Sequence, residues 1–327
     1  MFLKCNNYFN MYASLKFCAG SVAKKDFVAD LKHFAIQGGR VRGFNGVLAL
    51  STPIPFDIDC NPNAEQLIKA VSKCNDTIQL SLTKAGRLSV KSGVFKAFID
   101  CVQGETNHVE PEGEFVEFDG EVLLKGIQAC AAFIGSDASR PWANGVLIKG
   151  QSIFATNNVM LVEYWLGSEF PITVNIPKAA VREMQRIGEA PINAQVTERS
   201  ITFHYTGDRW LRTQLYETQW PDLSKVLNRP SEQVPLDERI FEGLESVKAF
   251  VDKMGTIFLM PDELRTHADD QEGAGFAMEG FGFEGKYNID MLGLLKDTAT
   301  TIDWSGYPGP CMFQGDRIRG AIIGMRK

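Results

Sequence analysis

Two stretches decide how this chain is read: Gly43-Phe-Asn-Gly-Val-Leu-Ala-Leu50 and Trp142-Ala-Asn-Gly-Val-Leu-Ile-Lys149. Asn45 and Asn144 stand 99 residues apart, and the elements around each recur in the same order. A repeat of that length is the size of a domain, so it points to one fold duplicated along one chain. Function is then to be sought in what repeated domains do together rather than in one catalytic cleft.

Around the first copy, residues 21–36 read as an amphipathic helix capped by Ser21, with Phe27, Val28, Leu31, Phe34 and Ala35 on one face. Residues 1–13 carry little pattern and read as a short extension. Strands follow at Val41–Leu50 and Phe56–Asp59. A second helix opens at Asn61-Pro-Asn-Ala, with an Asn cap and a proline in its first turn. Alternating strands at 78–83 and 87–91 flank the turn Lys84-Ala-Gly86, and Val94–Val102 closes the unit.

Around the second copy, Leu123, Ile127, Cys130 and Ile134 form a helical stripe, followed by strands at Asn144, Ser152–Thr156 and Leu161–Trp165. Val174-Asn-Ile-Pro leads into a second helix, and strands at 192–197 and 201–205 repeat the earlier pair. A third unit keeps the same order without matching strand sequences. It has a helix over 237–252, strands at 255–260 and 275–284, a helix from Tyr287, and strands at 301–304 and 311–323. Polar, proline-containing junctions at 109–119 and 227–236 divide the chain. The expected architecture is α+β: three repeated units over 14–112, 113–229 and 230–327, each with two helices and antiparallel sheets.

The 327 residues are 44% apolar and 23% charged, ordinary values for a globular protein. No apolar run approaches the roughly 20 residues a membrane helix needs, and the N-terminus does not read as a signal peptide. Seven scattered cysteines form no Cys-x-x-Cys pair, and the four histidines have no ligand spacing. Reduced thiols in a cytoplasmic protein, with no metal and no cofactor, are expected. The glycine-rich stretch Gly273–Gly285 lacks the Gly-Lys-Ser/Thr of a phosphate cradle and reads as a bent strand. Asp269-Asp270 reads as a solvated turn. No nucleophile or paired-carboxylate motif appears, so no catalytic residue is assigned and an enzyme is not expected.

The net charge is −6, yet the cations are not spread evenly. Lys178, Arg182 and Arg186 fall at i, i+4 and i+8 of one helix, which makes a single stripe. Lys69 and Lys73 pair on another, Lys24, Lys25 and Lys32 lie on the first, and Lys125 and Lys248 add single charges. Acidic residues gather instead between Glu105 and Glu121 and between Asp262 and Glu272. Two readings stand side by side. A charged face is what any amphipathic helix offers to solvent. Basic bias recurring at matching places in a repeat also suits a polyanion, held through phosphate contacts that carry no sequence information and weaken with salt.

The second unit resembles the middle domain of the bacterial sliding clamp, the beta subunit of DNA polymerase III. The likeness runs through Trp142-Ala-Asn-Gly-Val-Leu-Ile, Phe154-Ala-Thr-Asn-Asn-Val-Met-Leu-Val, Val174-Asn-Ile-Pro-Lys-Ala-Ala-Val and Trp220-Pro-Asp-Leu-Ser-Lys-Val-Leu. The terminus Ile322-Ile-Gly-Met-Arg-Lys327 resembles the family's Met-Pro-Met-Arg-Leu. The likeness is specific over about 140–230 and at the terminus, and architectural elsewhere. The chain is shorter than a typical cellular member, which fits a phage or otherwise divergent version.

The resemblance implies the DNA-clamp fold and a head-to-tail homodimer ring, helices inside, encircling duplex DNA in a bacterial or phage-infected cell. It implies a processivity factor that tethers the replicative polymerase, and meets the clamp loader, through short apolar peptides bound between domains two and three. Carried over residue by residue, that pocket comprises Ala143, Thr156, Asn158, Leu161, Pro221, Lys225, Val226, Ala321, Ile323 and Met325. Asn158, Val159 and Met160 stand where the family has Gly-His-Arg, Gly324 replaces a proline and Lys327 the terminal leucine. The loop carrying Arg140 and Trp142 matches one that touches DNA, and Arg40 occupies the comparable place in unit one. The rival reading is a repeated β-rich structural or assembly protein of a virion, which would need neither basic helices nor the terminal apolar motif.

Overall fold

A computed structural model describes residues 2, 3, 5–23, 28–75, 77–104 and 109–326. They form two compact units, one of residues 1–124 and 179–215, the other of residues 125–178 and 216–327. The helices are α1 (Cys5–Cys18), α2 (Ala64–Val71), α3 (Gly120–Cys130), α4 (Lys178–Ile187), α5 (Ser224–Leu227), α6 (Arg239–Val247) and α7 (Ile289–Gly293). Among the described residues no helix is long and apolar enough to cross a membrane.

The first unit holds a seven-stranded antiparallel sheet. Its order is Glu114–Val116, Asn193–Val196, Ser200–Tyr205, Arg209–Gln214, Leu48–Pro53, Arg40–Phe44 and Ala35–Gln37. The distant segments meet where Trp210 pairs with Ser51 and Leu211 with Leu50. A four-stranded sheet runs Phe2–Leu3, Ile78–Leu82, Leu88–Ser92 and Phe95–Ile99, and a short ladder joins Asn61–Pro62 to Cys101–Val102.

The second unit repeats the plan. Its eight-stranded antiparallel sheet runs Val174–Pro177, Gly145–Lys149, Ser152–Thr156, Met160–Trp165, Ile318–Ile323, Pro310–Gly315, Thr301–Asp303 and Val234–Pro235. A four-stranded sheet runs Gly275–Ala277, Glu263–Arg265, Thr256–Met260 and Gly285–Asn288. In both units the inward residues of the strands are apolar and buried, as at Ile201 and Phe203, or Val162 and Ile322.

Several expectations are corrected. The first helix is α1, within and just after the supposed extension, and not residues 21–36. Its Met11, Leu15 and Cys18 are fully buried at helical spacing. Residues 29–32 form a 3-10 turn, while Phe34, Ala35 and Ile36 are buried consecutively as the chain enters a strand. Val28, which a helix there would bury, is exposed, and Phe27 lies outside the described residues. Gly20 allows α1 to end against α4, since a Cβ there would fall 1.8 Å from Glu183 Oε1.

The opening motif also serves two purposes. Asn45 and Gly46 do not continue a strand but turn between two. Gly46 has φ of +94°, and Asn45 Oδ1 accepts from Val47 N at 3.2 Å and Leu48 N at 2.9 Å. In the second copy Gly145 already lies in a strand, where a Cβ would meet Ile176 O at 2.4 Å. Residues 56–59 form no strand, following the Pro53-Ile-Pro55 run whose prolines cannot donate to a ladder. The cap of α2 is Asn63 and not Asn61: its Oδ1 accepts from Gln66 N at 3.0 Å, and Pro62 precedes the helix. In the glycine-rich stretch Gly275–Ala277 is a strand and Gly285 opens another, and between them Gly280 and Gly282 take φ of +74° and +75°.

Candidate functional site: an apolar groove and the placed cations

On the second unit a groove of about 390 Å³ opens over one face of the eight-stranded sheet. Its floor follows from ladder register. Thr156 pairs with Leu161, Leu161 with Ala321, and Pro310 with Ile323, so these side chains share a face. Its side is the linker that carries Pro221, Leu223 and Val226, and its rim holds Arg140, Trp142, Asn158 and Val159.

The local structure that builds it is polar and specific. The hairpin between Ser152–Thr156 and Met160–Trp165 turns through Asn157-Asn-Val159. Asn157 Oδ1 accepts from Val159 N at 3.1 Å and Met160 N at 2.8 Å. Asn158 takes φ of +70°, a conformation asparagine tolerates better than most side chains. Thr156 Oγ1 donates to Met160 O at 2.7 Å and accepts from Asn158 N at 3.1 Å. Ile323 N donates to Val159 O at 2.9 Å, which ties the terminal strand to this hairpin. Beyond it, Met325 N donates to Lys286 O at 2.7 Å and Tyr307 Oη to Met325 O at 3.3 Å.

The linker is set by its own turn. Asp222 Oδ1 accepts from Ser224 N at 3.1 Å and Ser224 Oγ at 2.6 Å, a turn just ahead of α5 that holds the Asp222 carboxyl below the usual carboxylate range. Buried Asn175 donates through Nδ2 to Trp142 O at 3.0 Å and Glu217 O at 2.9 Å, binding the Trp142 loop to the linker. The Trp142 and Trp220 rings then meet edge to face, centroids 5.0 Å apart. Pro221 and Leu223 also border a second cavity of about 670 Å³ on the same sheet face, where Glu163 pairs with Arg319 at 2.6 Å.

Of the residues expected at a pocket, Thr156, Asn158, Leu161, Pro221, Val226, Ala321 and Ile323 line the one groove. Ala143 is fully buried behind it, Lys225 is exposed on α5, and Met325 lies past the rim. Val159, Met160, Leu223 and Pro310 line it without having been expected. Leu223 sits inside the quoted Trp220-Pro-Asp-Leu stretch and could have been found there. Pro310 enters only because its strand pairs with Ile323, which no local pattern reveals. The lining is mainly aliphatic with a polar rim, a composition suited to one or two apolar side chains of a ligand. Among the described residues no group of three or more His, Cys, Asp or Glu is placed to hold a metal.

The cations expected at DNA have varied surroundings. Lys24 and Lys25 lie outside the described residues. Lys32 ends a 3-10 turn, not a helix face. Arg40 forms an ion pair with Asp208 and donates to Ser51 Oγ at 3.0 Å. Lys69 pairs with Glu65 at 2.6 Å, both side chains exposed. Arg140 and Trp142 border the groove, Arg140 Nη1 donating to Asn158 Oδ1 at 2.6 Å.

The stripe on α4 is divided. Lys178 Nζ donates to Ile134 O at 3.0 Å, Gly135 O at 3.1 Å and Ser136 Oγ at 2.8 Å, closing the end of the 3-10 turn that follows α3. Arg186 donates to Phe17 O at 2.6 Å and Lys16 O at 3.2 Å, the last carbonyls of α1, and pairs with Glu183. Both ends of the stripe therefore satisfy helix C-termini, where cations are favoured. Arg182, Lys73, Lys125 and Lys248 are exposed.

No protein-family model matches the sequence, and no curated protein matches it. Solved structures do. A DnaN sliding clamp (DNA polymerase III subunit beta) from Pseudomonas aeruginosa bound to griselimycin aligns with a TM-score of 0.83 at 16% identity, over 100% of this chain and 99% of that one. The DNA polymerase sliding clamp of Bacillus subtilis gives 0.82 at 14%, over 100% and 98%. The beta subunit from DNA polymerase of Streptococcus pyogenes gives 0.81 at 17%, over 100% and 99%. The architecture is thus the DNA-clamp fold: α+β, with repeated units of helices and antiparallel sheet along the chain.

Proposed function

We propose that this protein is a DNA sliding clamp, a non-enzymatic processivity factor whose homodimer closes head to tail around duplex DNA. The observation that carries the reading is the end-to-end likeness to sliding clamps at a TM-score of 0.83. The three domains, 14–112, 113–229 and 230–327, would be the repeats of that ring. Support for dimer closure comes from the two four-stranded sheets, each of which ends, among the described residues, in a strand with an unpaired edge. Phe95–Ile99 is one such edge, with Phe98 43% exposed, and Gly275–Ala277 is another.

The DNA-facing cations in this reading are Lys73, Lys125, Arg182 and Lys248, exposed on or just after α2, α3, α4 and α6. Lys32, Arg40 and Lys69 would add further positive charge in this reading. The groove at Leu161, Val226 and Ile323 takes a short apolar peptide of the polymerase or clamp loader. A ring that holds DNA by topology needs no tight contact, so weak, salt-sensitive phosphate interactions suffice. The test is retention after loading. The protein should stay on closed circular DNA and run off the same DNA once linearised. Equal retention on both would sink topological binding.

A further inference from the structure

The first unit contains two thiols that neither its core nor the proposed interfaces use. Cys60 is held by a reciprocal backbone pair with Ile36, both bonds 3.0 Å long. Cys101 opens the strand Cys101–Val102, whose ladder sets Cys101 opposite Pro62 and Val102 opposite Asn61. Side chains alternate along a strand, so Cys60, two residues before Pro62, shares a ladder face with Cys101 and stands diagonal to it. The two half-buried thiols line one cavity of about 400 Å³ with Ile36, Gln37, Leu82 and Gln103, near enough for each to shift the ionisation of the other. Cys18, Cys74, Cys130 and Cys311, by contrast, are buried.

Their proximity makes the two sulfurs unequal. The Cys60 thiol beside it brings the Cys101 thiol down to about 7, with burial and Asp100 opposing and Arg87 assisting. The same proximity, with burial and the nearby Asp59, pushes Cys60 up. A thiolate at neutral pH with a protonated thiol in reach is the arrangement in which one sulfur attacks and the other resolves.

We propose that Cys60 and Cys101 are a redox couple that closes to an intrachain disulfide on meeting a peroxide or a small-molecule disulfide. With hydrogen peroxide, the Cys101 thiolate attacks one oxygen, the O–O bond breaks, and the departing hydroxide takes up a proton as water. The Cys60 sulfur then attacks the sulfenic sulfur. The S–S bond forms, the S–O bond breaks, and the Cys60 proton leaves with the hydroxyl as a second water. Two thiols lose two electrons and the peroxide gains them. The bond fastens the segment ahead of α2, whose Asn63 N already donates to Asp100 O at 2.8 Å, to the strand after Ile99.

The test uses the full chain, treated with hydrogen peroxide or, separately, with oxidised glutathione, then alkylated, digested without reductant and mapped by mass spectrometry. The expected product of each is a cross-linked peptide pair joining Cys60 to Cys101, released by dithiothreitol. Separate adducts on the two cysteines without a cross-link, or no modification of either, would overturn the proposal. In Cys60→Ala, removal of the neighbouring thiol should slow alkylation of Cys101 at pH 7 roughly fivefold, the lost thiolate fraction being partly offset by a more basic sulfur. An unchanged rate would refute the assigned roles of the pair, and the cross-link in the unaltered chain stands as the test should that variant not fold.

Discussion

Replacing Ile323 with alanine separates groove from core within two adjacent residues. Ile322 and Ile323 face opposite sides of the Ile318–Ile323 strand, Ile322 fully buried and Ile323 42% exposed at the groove. Complete burial of such a side chain stabilises by about 1.5–3 kcal/mol. The exposed 42% is the part that a docking peptide can still cover, so Ile323 should contribute about 1 kcal/mol to docking, or roughly fivefold in Kd. Its backbone bond to Val159 O survives the substitution, and the stability cost should be about 1 kcal/mol. Ile322→Ala instead opens a cavity in the core, at about 2–5 kcal/mol. Fluorescence anisotropy with a labelled clamp-binding peptide, beside urea unfolding of the same variants, reads both quantities. Ile323→Ala should lose affinity with little stability, and Ile322→Ala should lose stability first. Wild-type affinity in Ile323→Ala would refute the groove as the docking site.

Three further outcomes follow from the geometry. Removing residues 324–327 deletes the Met325 contacts with Lys286 and Tyr307; peptide binding should fall while light scattering still shows a dimer, and unchanged affinity would exclude the terminus from the pocket. Lys178→Glu sets a carboxylate against two carbonyls and should cost about 2–3 kcal/mol of stability, whereas exposed Arg182→Glu should leave unfolding unchanged within about 0.5 kcal/mol and impair processive synthesis. Equal unfolding midpoints for the two would contradict the capping role of Lys178. Burial holds His204, bonded to Gln195 at 3.0 Å, below the usual histidine range. Its neutral form is thus favoured in the fold. Stability from this group is full above the unfolded pKa of about 6.5 and is lost as pH falls from there through the folded value. His204→Gln should flatten that slope in urea midpoints measured between pH 7 and 5, and an unaltered slope would assign it elsewhere.

The duplication was legible because periodicity is local. The helical stripe Ile240, Leu244 and Val247 and the hairpin 78–92 each declare themselves within a few residues, and each is present. What failed was also local: Phe27, Val28, Leu31 and Phe34 imitate a helical face, yet consecutive burial of Phe34, Ala35 and Ile36 serves a strand. Which distant segments share a sheet was illegible for a different reason. The pairings Trp210 with Ser51 and Leu161 with Ala321 join segments more than a hundred residues apart into single sheets. Sequence period marks where a repeat begins, but strand addition decides which repeats share a sheet.

The groove and the cations divide along the same line. Seven of its expected members carried their own signal as a short resembling stretch, and the ladder then gathered them on one face. The stripe Lys178, Arg182 and Arg186 had helical spacing as its only signal, and spacing cannot distinguish a charge turned to solvent from one turned to a carbonyl. Lys178 and Arg186 find helix ends that are distant in sequence, Ile134 and Phe17. Ending those helices against α4 leaves carbonyls that need donors, and a cation is the stronger one. A basic helix such as α4 therefore has structural uses for its charges before any polyanion arrives. On α4 it is Arg182, flanked on both sides by engaged cations, whose charge is available to bind.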